Sequence, residues 1–265
     1  MAPAGVLEHF EVRSGDGTVI PVVKGGIGPP LVLVHGAGGP NAWVAVRPLL
    51  ERTRTVYTLD RRSTFVDPSI RYDLQREFED VAAVARAAGG DVDLGGQSSG
   101  AVCALGASLL IPGLRHLILY EPPFLAATQS NVEHMERLLQ EGNQGGAAES
   151  FLRDSVKLAP ETIAAWKSAP DWPKRAALAP FQIREEAILR AWKPAPDTFR
   201  ALRLPTLLLV GGKTPAEHHH RGYIEFLRAA GVDLTVVEIP GQEHAAHRDA
   251  PELFAKLVLE FLEVD

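Results

Sequence analysis

Asp91-Val92-Asp93-Leu94-Gly95-Gly96-Gln97-Ser98-Ser99-Gly100-Ala101-Val102-Cys103-Ala104-Leu105 reads as a short buried strand, a tight turn and the start of an apolar helix. The turn holds Gly96-Gln97-Ser98-Ser99-Gly100, a G-x-S-x-G pentapeptide. Such a turn forces the middle serine into a strained backbone conformation, and the flanking glycines leave no side chain to clash with neighbouring strands. The Ser98 hydroxyl then stands clear of the sheet edge, with the N-terminus of the next helix behind it. Helix N-termini carry unpaired N–H groups and partial positive charge, which suits a developing oxyanion.

Strands and helices alternate outward from this turn. Residues 9–13 and 18–24 flank the turn signal Ser14-Gly15-Asp16-Gly17 and predict an edge hairpin. Leu31-Val32-Leu33-Val34 is a continuous apolar run, as a parallel strand buried on both faces requires. Strands are also expected at 55–59, 114–119, 205–210 and 234–239. Helices are expected at 41–50, 72–88, 215–230 and 250–264. The alternation predicts an α/β fold with a mainly parallel sheet covered by helices on both faces. Between Phe124 and Arg203 it stops. That stretch carries helical pieces at 133–140, 147–157 and 181–192, and is too long to be a loop. The expected organisation is a core of residues 1–123 and 204–265 with an inserted helical cap at 124–203.

Ligands of such sheets bind beyond the carboxyl ends of the strands. His35-Gly36-Ala37, Asp60, Ser98, Glu121, the loop from Gly211 to Pro215, and Gln242-Glu243-His244 all fall at such ends. A serine alcohol is protonated at neutral pH and needs a base in hydrogen-bond reach, itself oriented by an acid. His244, past the last strand and after Pro240-Gly241, is the expected base. His247 on the same loop is its competitor and is expected at the surface. The usual acid loop, Gly211-Gly212-Lys213-Thr214-Pro215-Ala216-Glu217, has no aspartate. Glu121, one strand nearer the serine, is the first choice for the acid and Glu217 the second. The backbone N–H groups of Ala37 and Ser99 are the candidate oxyanion donors, and Gly36 lets its loop approach the substrate. Trp166, Trp172 and Trp192 in the insertion are candidate substrate contacts. His218-His219-His220 cannot share one ion well from a helix, so no metal is expected, and the chemistry needs no cofactor.

Composition narrows the rest. The net charge is -6 with Lys and Arg scattered, which argues against nucleic acid and anionic membrane as partners. No apolar run approaches the ~18 residues that span a bilayer. The N-terminal residues show no basic region followed by an apolar run, so no signal peptide is expected. The single cysteine, Cys103, excludes an internal disulfide, reads as core filler and suits a reducing, cytoplasmic setting. No dimer seam stands out, and a monomer or homodimer is expected.

Together Leu33-Val34-His35-Gly36, Leu59-Asp60-Arg61-Arg62, Gly96-Gln97-Ser98-Ser99-Gly100 and Pro240-Gly241-Gln242-Glu243-His244 resemble the α/β-hydrolase superfamily. Ser98-Ser99-Gly100-Ala101, Glu121 before a proline, and Val210-Gly211-Gly212-Lys213-Thr214-Pro215 are similar to the zearalenone-type lactone hydrolases. In that group the acid is a glutamate after the strand that follows the nucleophile helix, so the resemblance also implies Glu121. The His35-Gly36 segment and the insertion depart from it. The resemblance implies a serine hydrolase for an ester or lactone without carrying over the relatives' substrate, and the apolar cap predicts a medium-sized hydrophobic small molecule. The rival expectations are a lyase, cyclase or cofactor-free oxygenase on the same fold, or an inactive ligand-binding relative.

Overall fold

The apolar runs become strands of one sheet in the computed structural model, which describes residues 6–123, 129–214 and 220–263. β1 (Glu8–Arg13) and β2 (Val19–Gly25) form the edge hairpin. β3 (Pro30–Val34), β4 (Thr55–Leu59), β5 (Val92–Gln97), β6 (Leu114–Tyr120), β7 (Thr206–Gly211) and β8 (Leu234–Ile239) run parallel. Among the described residues the strand order is β1-β2-β4-β3-β5-β6-β7-β8, with β2 antiparallel to both neighbours. The chain leaves β3 for β4 on one side, then crosses back to place β5 on the other. The direction of winding therefore reverses between β3 and β5, and a crevice opens at their carboxyl ends.

Every residue of β5 is buried, the polar Asp93 and Gln97 included. The helix Ser99–Ala107 is buried at all nine positions, and small side chains let it lie close to the sheet. Cys103 is part of that interior. On one face Leu31, Leu33 and Ile118 pack with Trp43, Phe254 and Val258 of the flanking helices. The helix predicted at 41–50 is instead a 3-10 turn, Pro40–Trp43, and a short α-helix, Arg47–Leu50. Each begins with a proline in its first turn, and Pro48 has no N–H with which to continue a helix from Pro40.

The chain divides into two compact units: Met1–Arg62, Leu74–Phe124 and Pro194–Asp265 in the first, Ser63–Asp73 and Leu125–Lys193 in the second. The second unit therefore begins and ends differently from the expected 124–203 insertion. Residues 63–73 join it because the Arg184 guanidinium donates to the carbonyls of Ser63, Val66 and Asp67 at 3.0, 2.9 and 2.6 Å. Residues 196–199 stay with the first unit, where fully buried Phe199 meets Phe226 edge-on. The second unit is helical, with Gln129–Gln140, Gln144–Ser150, Pro160–Lys167, Trp172–Ala176 and Ala179–Ala191 around Met135, Ala147 and Phe151. No helix among the described residues is long and apolar enough to cross a membrane.

Candidate active site

Ser98 follows β5 with φ 55° and ψ -130°, a conformation that L-residues rarely adopt. Its N–H donates to the Tyr120 carbonyl at 2.8 Å, and its side chain is half-buried. The turn tolerates no bulk. A Cβ on Gly96 would lie 2.3 Å from the Gly100 carbonyl oxygen, and one on Gly100 would lie 2.3 Å from that of His35. Ser99 opens the next helix, so its N–H has no acceptor one turn earlier.

A buried arginine ties the β3 loop to this turn. Arg61 pairs with Glu77 at 2.8 Å and donates to the His35 carbonyl at 3.1 Å and to Ser99 Oγ at 3.0 Å. Its backbone N–H donates to His35 Nε2 at 3.1 Å, so His35 is neutral with its proton on Nδ1, facing the Gly36 carbonyl at 2.7 Å. Burial, reinforced by the Arg61 charge, pushes His35 down to about 3, which agrees with that assignment. The neighbouring Arg62 holds Asp80 and Asp16 at 2.6 and 2.8 Å. Arg61 and Arg62 are therefore the side chains with which this segment braces the site, while the Asp60 N–H donates to the Pro21 carbonyl at 2.9 Å.

Glu121 has φ 44° at the end of β6 and is fully buried. Its Oε2 accepts from His244 Nδ1 at 2.6 Å, and its Oε1 accepts from the Gly211 N–H at 2.7 Å. Burial pushes the carboxyl up, but the hydrogen bond and charge of His244 and the Gly211 N–H outweigh it, leaving Glu121 below the usual carboxylate range. Glu217 lies outside the described residues, as do His218 and His219. Among the described residues no His/Cys/Asp/Glu group is placed to hold a metal.

His247 is not at the surface as expected. It is buried, 4% exposed, with its ring 5.3 Å from Trp43, 5.9 Å from Tyr120 and 6.1 Å from Phe254. The short helix Ala246–Asp249 turns it inward, and burial pushes it down to about 3. It takes no part in the Glu121 contact. The three tryptophans belong to the second unit, each half-buried, with Arg175 over the Trp166 ring at 4.7 Å.

Two residues escaped the sequence reading. Tyr120 hydroxyl donates to the Glu243 carbonyl and accepts from the Ala246 N–H at 3.0 Å, clamping both sides of His244. Its ring also stacks on His244, with an interplanar angle of 24°. Gln97 lies between His244 and Gly36. Its position as the variable residue of the pentapeptide is the signal that could have drawn attention to it. The first unit thus brings a strained serine, an imidazole bonded to a buried carboxylate and a glycine-rich loop to one sheet edge. Those groups suffice for general-base activation of an alcohol and attack on a carbonyl.

A sequence model described as the alpha/beta hydrolase family matches residues 31–257. A solved structure of an alpha/beta hydrolase from Sphaerobacter thermophilus is similar at 30% identity and TM-score 0.82, covering 96% of this chain and 100% of that one. A thermophilic esterase from Thermogutta terrifontis is similar at 23% identity and TM-score 0.74, with 96% and 98% covered. An enol-lactonase from Burkholderia xenovorans is similar at 16% identity and TM-score 0.76, with 96% and 99% covered. The last two likenesses concern the fold alone. A search of curated protein sequences finds no match.

Proposed function

The chain belongs to the alpha/beta hydrolase family, and from that premise we propose that it is a serine hydrolase cleaving a carboxylic ester or lactone. The observation that carries the reading is the strained Ser98 turn on the same sheet edge as the 2.6 Å His244–Glu121 contact. In this reading Ser98 Oγ attacks the carbonyl carbon as its proton passes to His244 Nε2. Glu121 stabilises the resulting imidazolium through Nδ1–H, and the Ala37 and Ser99 N–H groups hold the oxyanion. His244 then gives its proton to the leaving alkoxide. Water, deprotonated by the same nitrogen, releases the acid and restores Ser98. With a lactone the leaving alkoxide stays tethered to the acyl group, and the product is a hydroxy acid.

The glutamate after β6 follows the zearalenone-type layout, and on that account a lactone stands beside an open-chain ester in this proposal. The tryptophan-bearing insertion is the reason for proposing a medium-sized hydrophobic substrate. The test is fluorophosphonate labelling alongside turnover of aryl esters and simple lactones. The parent should label and turn over substrate, and Ser98→Ala and His244→Ala should do neither. Turnover by Ser98→Ala at the parent rate would end the serine mechanism.

A further inference from the structure

We propose that Gln97 is a positioning residue that sets the proton on His244 and couples the base to the β3 loop. This rests on the reading of His244 as the general base.

The assignment follows from counting donors. Gln97 is buried at the end of β5 and its side chain spans two groups. One end lies 3.2 Å from the Gly36 N–H, which can only donate, so that end is the amide oxygen. The other end is therefore the NH2 group, and it lies 3.1 Å from His244 Nε2. An NH2 group can only donate, so Nε2 presents its lone pair and the imidazole proton is on Nδ1. That proton faces Glu121 Oε2 at 2.6 Å, and Oε1 of the same carboxylate accepts from Gly211 N–H at 2.7 Å. The polarity of the whole row, from Gly36 through Gln97, His244 and Glu121 to Gly211, is fixed by its two backbone amides.

Two consequences follow. The tautomer selected is the one a general base needs, with its lone pair on Nε2. Gln97 also opposes the protonated ring, because imidazolium Nε2–H and the amide NH2 are both donors. The amide must yield Nε2 as Ser98 transfers its proton. The Gly36 N–H is occupied by Gln97. The loop lies close against the turn: a Cβ on Gly36 would lie 2.6 Å from Gln97 Oε1 and 2.8 Å from Ser98 Cβ.

Gln97→Glu is the discriminating variant. One carboxylate oxygen still accepts from Gly36, so the loop keeps its bond, while the other turns a donor facing Nε2 into a charged acceptor. The imidazolium would then be held between two carboxylates. Gln97→Leu removes both bonds at similar volume. The other titratable groups around the ring are Glu121 on Nδ1, Tyr120 stacked on its face and His247, which burial keeps neutral.

The experiment is a pH titration of 15N-histidine-labelled protein by NMR, with His244→Asn assigning the His244 signals, in the parent and both variants. The parent should show the Nδ1–H tautomer. The His244 midpoint should rise by at least about one pH unit in Gln97→Glu, and by less in Gln97→Leu. The pH profile of ester turnover or fluorophosphonate labelling by Gln97→Glu should be displaced upward by the same interval as the His244 midpoint, so that activity lost at acid pH recovers as pH is raised. A purely structural role for Gln97 would not give that recovery. An Nε2–H tautomer in the parent, or an unmoved midpoint in Gln97→Glu, would overturn the proposal. If the parent fails to label while the tautomer and midpoint shift are as stated, the hydrolase reading falls and the Gln97 coupling stands.

Discussion

Glu121 accepts from His244 on one oxygen and from the Gly211 N–H on the other, with a further side-chain hydrogen bond from Thr214, and that determines what its replacement should do. In Glu121→Gln one end of the amide can still accept from Gly211, but the other presents NH2 to His244 Nδ1. The ring must then turn or carry its proton on Nε2, where it cannot act as a base. By analogy with the loss of the acid in other triads, kcat should drop about 10³–10⁴-fold with little change in stability. Steady-state kinetics with paired melting curves checks this; a loss below about tenfold would return attention to Glu217. His247 makes a different residue-scale prediction. Its Nδ1 is buried without a partner and its neighbours are aromatic. His247→Phe should keep the nest packed and remove a group that resists protonation. Its melting temperature should fall less than the parent's between pH 7 and pH 5, by about 5 °C, as scanning calorimetry can measure.

Among the elements, the nucleophile helix depends on what is buried beside it. Arg61 and Glu77 are 1% and 3% exposed as a pair, and Cys103 Sγ lies 3.8 Å from the same carboxylate. Glu77→Leu would leave Arg61 charged and buried, at a cost of about 3–5 kcal/mol in urea unfolding. Arg76→Ala, which breaks the surface Arg76–Glu79 pair at 2.8 Å on the same helix, should cost less than about 1 kcal/mol. Equal losses in the two variants would show that the buried pair has no special weight. The contrast also explains what the sequence could reveal. Strands β3 and β7 were legible because burial on both faces demands continuous apolar runs, and Gly96 and Gly100 because close backbone approach demands glycine. Asp60-Arg61-Arg62 reads from the sequence as a brace for the loops around the serine, but Gln97 was not assigned a role, since a polar residue's role depends on partners far away in the chain. His247 was misread because its inward turn is set by a four-residue helix with no periodic signal. The helices Pro160–Lys167 and Trp172–Ala176 were missed because prolines and tryptophans at their starts break the apolar spacing.

For the whole molecule, His35 and His247 set a shared acid limit. Both are pushed down to about 3 in the folded chain, against the ordinary 6.5 of a solvated imidazole. A depressed histidine lets the unfolded chain bind the proton first, so stability is full above pH 6.5 and drains as pH falls toward 3. At pH 5 the loss is about 2 kcal/mol for each residue. Urea midpoints should therefore fall steadily below pH 6.5, and flat midpoints down to pH 4.5 would contradict the buried neutral assignment. The one cysteine of the chain gives a way to watch such losses locally. Cys103 is fully shielded on the helix that begins at Ser99, so its thiol is silent toward aromatic disulfide reagents while that helix is docked. The rate at which it reacts is then a clock for transient detachment of that one helix, readable without any introduced label, and a bound inhibitor that grips Ser98 should slow it.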